Sequence, residues 1–461
     1  MKKKLIGTAI FGILLYAVLA KTGHLPSSFK MASSVPQAVD LSQSSSVQVN
    51  DVFAGSLVQL PSTSPAALSS PPIRVKVIPW NAEMGWHFAV GGTQTTTNSL
   101  MAKHGIRIVQ ERQDDVEKMK ADQLLFAQNL AEGQAHPSTG THFVIIMGDG
   151  GAQYIASLNN QIDKAKLGPE YHAEIIGAVG YSRGEDACFG PQEWREDPQK
   201  AKGGVIAAYL RDGDWNLCQY WLANSGIKNN PDETTYDPEA INWVATDDFM
   251  KAVEAYNSGH TESRPVVVNG KLTGEKRQIS VQGVATWTPG DVALAHGRGG
   301  LVRLISTKEN AYQMPAVLIG IRKWDAANAK LVQGMLAAAF EGGDQVKHFD
   351  AALQKAGQIS YNVYADQSPA YWVKYYKGAK ERDKTGLVVD LGGSTTANLA
   401  DNLVLFGLAG GTGGGLGSSI YNATYTGFGN IVKQQYPKLF PTFPSITEAV
   451  NTSYVNALAA R

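Results

Sequence analysis

The sequence has little of what builds metal or redox centres. Its two cysteines, Cys188 and Cys218, are too far apart for a C-x-x-C site, and its nine histidines never form H-E-x-x-H or another close ligand pair. Neither a metal nor a cofactor is therefore expected. Net charge is also missing: 41 basic residues balance 41 acidic ones, and the basic run Lys2-Lys3-Lys4 has no longer counterpart elsewhere. That balance argues against a general pull toward nucleic acid or an anionic membrane. The glycine-dense stretch from Gly407 to Gly417 lacks the G-K-[S/T] of a P-loop and follows a helical segment, so it reads as a flexible loop. Finally, the N-terminal apolar run falls short of the ~20 residues that a membrane-spanning helix needs.

That run still carries information. Lys2 to Lys4 precede the apolar or small residues Leu5 to Ala20, with Val18 and Ala20 at the −3 and −1 positions of a cleavage site before Lys21. This is the pattern of a secretory signal, either cleaved or kept as an anchor. Residues 21–72 are rich in Ser, Pro, Gln, Val and Ala and read as a disordered tether. Membrane contact is expected through the N-terminal segment only, with the body in the periplasm or on the extracytoplasmic face. Cys188 and Cys218 suit an oxidising compartment; they either pair or stay as separate buried residues, and their spacing does not decide.

From Ile73 onward, strands and helices alternate. Strands are expected over Arg74–Trp80, Ile106–Gln110, His142–Met147 and Ala173–Val179, and helices over Thr93–Lys103, Val116–Ala131 and Ala152–Lys166. Such alternation predicts a parallel sheet covered on both faces, with ligand-binding loops at the C-terminal ends of the strands. A second stretch predicts a helix over Val205–Asn224, a strand over Ile241–Val244 and a helix over Asp247–Tyr256 capped by Asp247. A hairpin turn at Asn269-Gly270 and a strand over Val284–Trp287 follow. On this reading Asp212 and Asp214 fall inside a helix, on a solvated face. Further helices are expected over Asp325–Ala339, Val346–Ala356, Leu399–Leu408, Tyr425–Gln435 and Ile446–Leu458.

The order of several pieces resembles a known family. These are Lys202-Gly203-Gly204 before a long helix, Ile241-Asn242-Trp243-Val244, the helix from Phe249 to Tyr256, Gly259, and Gln282-Gly283-Val284-Ala285-Thr286-Trp287-Thr288-Pro289. Together they resemble the second lobe of type 2 periplasmic binding proteins, especially the nitrate-, sulfonate- and taurine-binding group. Pro315 to Trp324 looks like that family's return to the first lobe, and the likeness runs from Ile73 to Asp350. Three features depart from the family pattern: the hairpin around Asn269, a long C-terminal extension, and Gly283 where the family carries Asp.

The resemblance implies an α/β, two-lobed fold in which each lobe is a mostly parallel sheet flanked by helices, with a C-terminal helical extension. The first lobe would begin at residues 73–180, the second span 181–301, and 302–461 return to the first lobe and add the extension. A small polar solute would be held in the cleft and delivered to an ABC-type permease or another membrane partner. The expected ligand-binding residues are Trp80, Asn81, Asp149, Gly150, Tyr181, Ser182, Arg183, Gly203, Gly204, Trp287 and Thr288. Arg183, with the backbone N–H groups of Gly203 and Gly204 at a helix start, favours an anion. The acidic and aromatic residues keep a cation open. Asp149 either holds an amine or a metal or caps the helix starting at Ala152.

Two other classes compete. Gly180-Tyr181-Ser182-Arg183-Gly184 matches the G-x-S-x-G of a serine hydrolase, which would make Ser182 a nucleophile. That requires a helix directly afterwards, whereas Glu185 to Phe189 runs into Gly190-Pro191. An envelope structural or stress component that binds no free solute would instead show a cleft filled by its own side chains.

Overall fold

The computed structural model describes residues 58–310, 313–409 and 415–460; the signal segment, most of the tether and the centre of the glycine-dense loop lie outside the described residues. Among the described residues no helix is long and apolar enough to cross a membrane.

In chain order the strands are β1 (Ile73–Val77), β2 (Ile108–Arg112), β3 (Phe143–Met147), β4 (Ala173–Ser182), β5 (Ala187–Gly190), β6 (Val205–Ala208), β7 (Lys228–Asn229) and β8 (Ala240–Ala245). Then come β9 (Thr261–Val268), β10 (Lys271–Ser280), β11 (Gly283–Thr286), β12 (Val302–Ser306), β13 (Pro315–Ile321), β14 (Ala379–Arg382), β15 (Val388–Leu391) and β16 (Ser394–Thr396). The major helices are α1 (Met84–Val90), α2 (Val116–Ala131), α3 (Gly151–Lys164), α4 (Gly213–Ser225), α5 (Phe249–Asn257), α6 (Gly290–Gly297), α7 (Ala329–His348), α8 (Asp350–Tyr364), α9 (Pro369–Lys377) and α10 (Ile420–Gln435).

Two six-stranded sheets form the two lobes. The first has the order β16-β4-β13-β3-β1-β2, the second β12-β5-β11-β6-β8-β7. Parallel pairing dominates the β3-β1-β2 side of one and the β11-β6-β8-β7 side of the other. Antiparallel strands β13, β16, β5 and β12 complete them. The central strands are covered on both faces, so β3 reads Phe-Val-Ile-Ile-Met without a polar interruption and is buried throughout. On the first lobe α1 crosses α7 so closely that a side chain on Gly85 would overlap the backbone of Gly343.

The chain passes between the lobes twice, from β4 to β5 and from β12 to β13, and the two passages are tied to each other. Ser182 Oγ lies 2.5 Å from Thr307 Oγ1, the Gly184 amide donates to the same Thr307 oxygen at 2.8 Å, and the Thr307 amide donates to Asp186 O at 3.1 Å. Because β12 pairs with β5, the return to the first lobe starts after Ser306 and not at residue 302.

Several expectations need correction. Val205–Asn224 is not one helix but strand β6 followed by helix α4, with a break at Tyr209 to Asp212. A short apolar run such as Val-Ile-Ala-Ala cannot be assigned by periodicity, and here it is a buried parallel strand. Helix α5 is capped by Asp248, whose carboxylate accepts from the Lys251 amide, and not by Asp247. The tether is ordered earlier than residue 72: the Ser62 and Ala66 amides donate to Thr97 O and Thr95 O on the first lobe. Helix α9 and the hairpin β14–β15 were not foreseen.

The extension packs on both lobes. β16 adds an edge strand to the first sheet beside β4. Helix α10 binds the first lobe through Tyr421 Oη donating to Gly148 O at 2.8 Å. Its other end meets the second lobe, where Tyr436 packs against Trp215 with ring centroids 5.7 Å apart and Gln435 accepts from Asn229 at 3.1 Å.

Cys188 and Cys218 form a disulfide that ties β5 to α4 and spans a sequence separation of 30. Closing a loop of that length removes about 3–4 kcal/mol of unfolded-chain entropy on the loop-closure account. Replacing both cysteines with alanine should therefore lower the denaturant midpoint by a corresponding amount, read by fluorescence-detected urea unfolding. An unchanged midpoint would show that the disulfide does not constrain the second lobe.

Candidate functional site

The C-terminal ends of the strands in both sheets point at the same place, between the lobes. From the first lobe come Trp80 and Asn81 after β1, and Asp149 and Gly150 after β3. From the second come Asp212, Gly213 and Asp214 between β6 and α4, and Trp287 and Thr288 after β11. The first passage between lobes contributes Glu185 and Asp186. All of these side chains except Asp212 are buried, and Asp212 is half-buried.

Bonds across the gap are specific. The Trp80 indole N–H donates to Asp186 Oδ2 at 3.1 Å, and Asn81 Nδ2 donates to Glu185 Oε2 at 3.0 Å. Gln153 Nε2, from α3, donates to Asn216 Oδ1 of α4 at 3.1 Å. Trp287 stacks on Phe249 with centroids 3.8 Å apart, and its indole N–H reaches back to Pro79 O at 3.0 Å. Gly150 and Gly213 permit the closest approach: a side chain on Gly150 would meet Asp212 Oδ1 at 2.9 Å, and one on Gly213 would meet Asp149 Oδ1 at 3.0 Å. Trp80 is braced from behind by Tyr364, whose hydroxyl accepts from the Trp80 amide at 3.3 Å and lies 2.6 Å from His87 Nε2.

These contacts leave an unusual residue of polar atoms. Asn81 Oδ1, both oxygens of Asp149, Gln153 Oε1, Asp186 Oδ1 and both oxygens of Asp214 are buried and accept no hydrogen bond of ordinary geometry. Three donors of the same region, Trp215 Nε1, Asn216 Nδ2 and Arg303 Nε, are also unpartnered. Each such buried acceptor costs roughly 1–3 kcal/mol if nothing pairs with it. Burial pushes the carboxylic acids up: Asp186 to about 7 and Asp212 to about 6. Burial and then neighbouring carboxylates raise Asp149, Asp214 and Glu185 well above the ordinary range. Asp291 is the exception in having a cation beside it, Arg303 at 3.6 Å, and Thr288 Oγ1 donates to it at 2.8 Å.

Beside this cluster, a cavity of about 950 Å³ separates the lobes, with Gly150, Gln153 and Asp212 in its inner wall. Asn160 and Glu117 line it from the first lobe, Ala245 and Thr246 from the second, and Pro441 to Pro444 of the extension lie along it.

The structure thus gathers Trp80, Asn81, Asp149, Gly150, Trp287 and Thr288 at the lobe contact, with Ser182 in the hinge beside them. It does not bring Gly203 and Gly204 there. They precede β6, at the end of that strand remote from Asp212, and their amides donate to Ala240 O and Ala201 O. They open a strand and not a helix, so the expected oxyanion cradle with Arg183 is not assembled. Arg183 lies over the Tyr181 ring at 4.7 Å, and Tyr181 Oη donates to Asp401 O of the extension. Asp149 is not a helix cap: Gly150 is at that position and no side chain caps α3. Asp212 and Asp214 are not a solvated face but part of the cluster. The sequence signal for them is Asp212-Gly213-Asp214, separated by three residues from the apolar tetrapeptide Val205 to Ala208, the mark of a strand end and a helix start. Ser182 ends a strand, is followed by strand β5, and spends its hydroxyl on Thr307 and the Asp186 amide. This is not the strand-to-helix elbow that a serine nucleophile needs.

No family model and no curated protein matches the sequence. Among solved structures, the periplasmic nitrate-binding protein NrtA from Synechocystis PCC 6803 superposes with a TM-score of 0.55 at 12% identity, over 86% of this chain and 89% of that one. The periplasmic sulfonate-binding protein SsuA from Methylobacillus flagellatus KT does so with a TM-score of 0.51 at 11% identity, over 86% and 95%. At such identities the likeness is one of fold: the chain has the two-lobed architecture of type 2 periplasmic binding proteins, with a C-terminal extension.

The raised carboxyl groups fix the pH response of stability. Unfolded aspartates lose their protons near ~3.9, whereas Asp212 and Asp186 keep theirs in the fold until about 6 and about 7. Between those limits only the folded state is protonated, so these groups lower stability as pH rises from ~4 to about 6 and about 7, with no further loss above. The thermal midpoint should be higher at pH 5 than at pH 8, and Asp186→Asn should flatten the difference. A midpoint that rises toward pH 8 in the parent protein would contradict this.

Proposed function

We propose that this chain is an extracytoplasmic solute-binding protein that holds a small polar solute between its two lobes and passes it to a membrane partner, of which an ABC-type permease is the leading class. The observation that carries this reading is the meeting of strand ends from both sheets and the hinge at one place, where buried polar atoms have no protein partner. In two-lobed folds of this topology, ligands bind at the carboxyl ends of the strands, and a ligand touching both lobes stabilises closure in proportion to its preference for the closed form. The disulfide accords with an oxidising compartment, and the N-terminal signal pattern with export. The solved structures of similar fold are named as binding proteins for nitrate and sulfonate; they support the class and leave the solute to this chain's own residues.

One observation favours a second reading. Helix α10 binds both lobes, and Asp149, Asp186 and Asp214 are buried at the lobe contact, as in an envelope component that closes permanently. Lobe motion distinguishes the two. Cysteines introduced at Asn160 and Ala245, on opposite walls of the cavity, can carry a dye pair on the full chain. Solute binding predicts a distance that fluctuates or shifts when a mixture of small polar metabolites is added. A single fixed distance under every condition would support the permanently closed body.

A further inference from the structure

We infer that the solute recognised between the lobes is an organic cation rich in N–H donors, an amine or guanidinium compound, gripped by Asp149, Asp186 and Asp214 with Asn81 and Gln153 beside them. The inference rests on the solute-binding reading and adds the charge class.

Three features of the site point to it. First, the unpartnered atoms are lopsided: once the three acids ionise, the five side chains named offer seven acceptor oxygens without a hydrogen bond of ordinary geometry, against three donors, Trp215 Nε1, Arg303 Nε and Asn216 Nδ2, the last of them beside Asp149. Asn81 and Gln153 are neutral amides whose N–H groups are already spent on Glu185 and Asn216, which leaves only their carbonyl oxygens to offer. An anion would add acceptors to a place already short of donors. Second, no protein cation among the described residues is placed to pair with these acids when they ionise. Among the described residues, Asp149, Asp186 and Asp214 have no ion pair, while the nearby cations are engaged elsewhere: Arg303 is 3.6 Å from Asp291, and Lys120 is paired with Glu117. Buried carboxylates without a counter-ion are costly, so a cation that reaches them gains the full charge-assisted hydrogen bonds. Third, no three acidic, histidine or cysteine side chains among the described residues converge as metal ligands. That favours an extended organic cation, whose donors can reach oxygens on both lobes, over a bare ion. Protons now carried by these acids would leave as such a solute binds.

The test is a thermal-shift and calorimetric panel on the full chain at pH 7.5, using agmatine, putrescine, arginine and lysine as cations, nitrate and taurine as family-type ligands, and glucose as a neutral polyol. The inference predicts that at least one cation raises the midpoint and that Asp149→Asn weakens its binding tenfold or more. It also predicts that Asp149→Asn does not lower the midpoint measured without solute, since the amide mimics the protonated acid; Asp214→Asn gives the same reading should that variant fail to fold. Stabilisation by nitrate, taurine or glucose with the cations silent would overturn the charge class and leave the solute-binding reading standing. Silence across the panel from a protein whose lobes move would overturn the charge class too. Silence from one whose lobes stay fixed would overturn both.

Discussion

Carboxyl groups buried where two lobes touch have to be neutralised, and the rest of this structure is arranged around that requirement. Asp149 comes from the first lobe, Asp212 and Asp214 from the second, and Glu185 and Asp186 from the passage between them. Bringing the lobes together therefore concentrates like charge in a dry place, which is unfavourable unless protons or a cation accompany it. Of the protein's own cations, Arg303 lies beside Asp291, and none forms an ion pair with Asp149, Asp186 or Asp214 among the described residues. Its neutral donors cover part of the surface: Trp80 serves Asp186, Asn81 and Ser394 serve Glu185, and Thr288 serves Asp291. What remains uncovered is both oxygens of Asp149 and of Asp214 and one oxygen of Asp186.

The hinge and the extension set how freely that contact opens. The two passages between lobes are bonded to each other through Ser182, Gly184 and Thr307. Outside the hinge, α10 lies across both lobes, and the β14–β15 hairpin reaches the second lobe through Asp383, which accepts from the Gly300 amide at 2.5 Å. Opening thus exchanges the contacts of Tyr421 and Tyr436 for solvent, a cost that a two-lobed body without such an extension does not bear.

Much of this was legible in the sequence, and the failures have physical causes. The long amphipathic or fully apolar elements, such as β3 and α2, declared themselves through composition and period. The order of Trp287-Thr288-Pro289 and its neighbours pointed to the fold although no single motif did. Trp80, Asn81, Asp149 and Gly150 were singled out as strand-end residues, and the structure places them at the lobe contact. The remainder was lost at one point: Val205 to Ala208 is short, apolar and followed by a helix, so it merged with that helix. Merging it moved Gly203 and Gly204 to a helix start they do not occupy and turned Asp212 and Asp214 into surface residues. The role of the extension depends on contacts far apart in the chain, such as Ser394 to Thr396 pairing with β4, which no local pattern encodes.

The central claim is that these acids are held protonated in the closed protein, and infrared difference spectroscopy of the full chain between pH 5 and pH 8 addresses it without needing a solute. The account predicts a protonated-carboxyl band at pH 5 that loses the part due to Asp212 and Asp186 as pH passes about 6 to about 7, where those two ionise. The loss should be smaller in a variant carrying Asp186→Asn and Asp212→Asn. A spectrum in which every carboxyl group is already ionised at pH 5 would contradict the account, because the lobes would then be closing on bare charge.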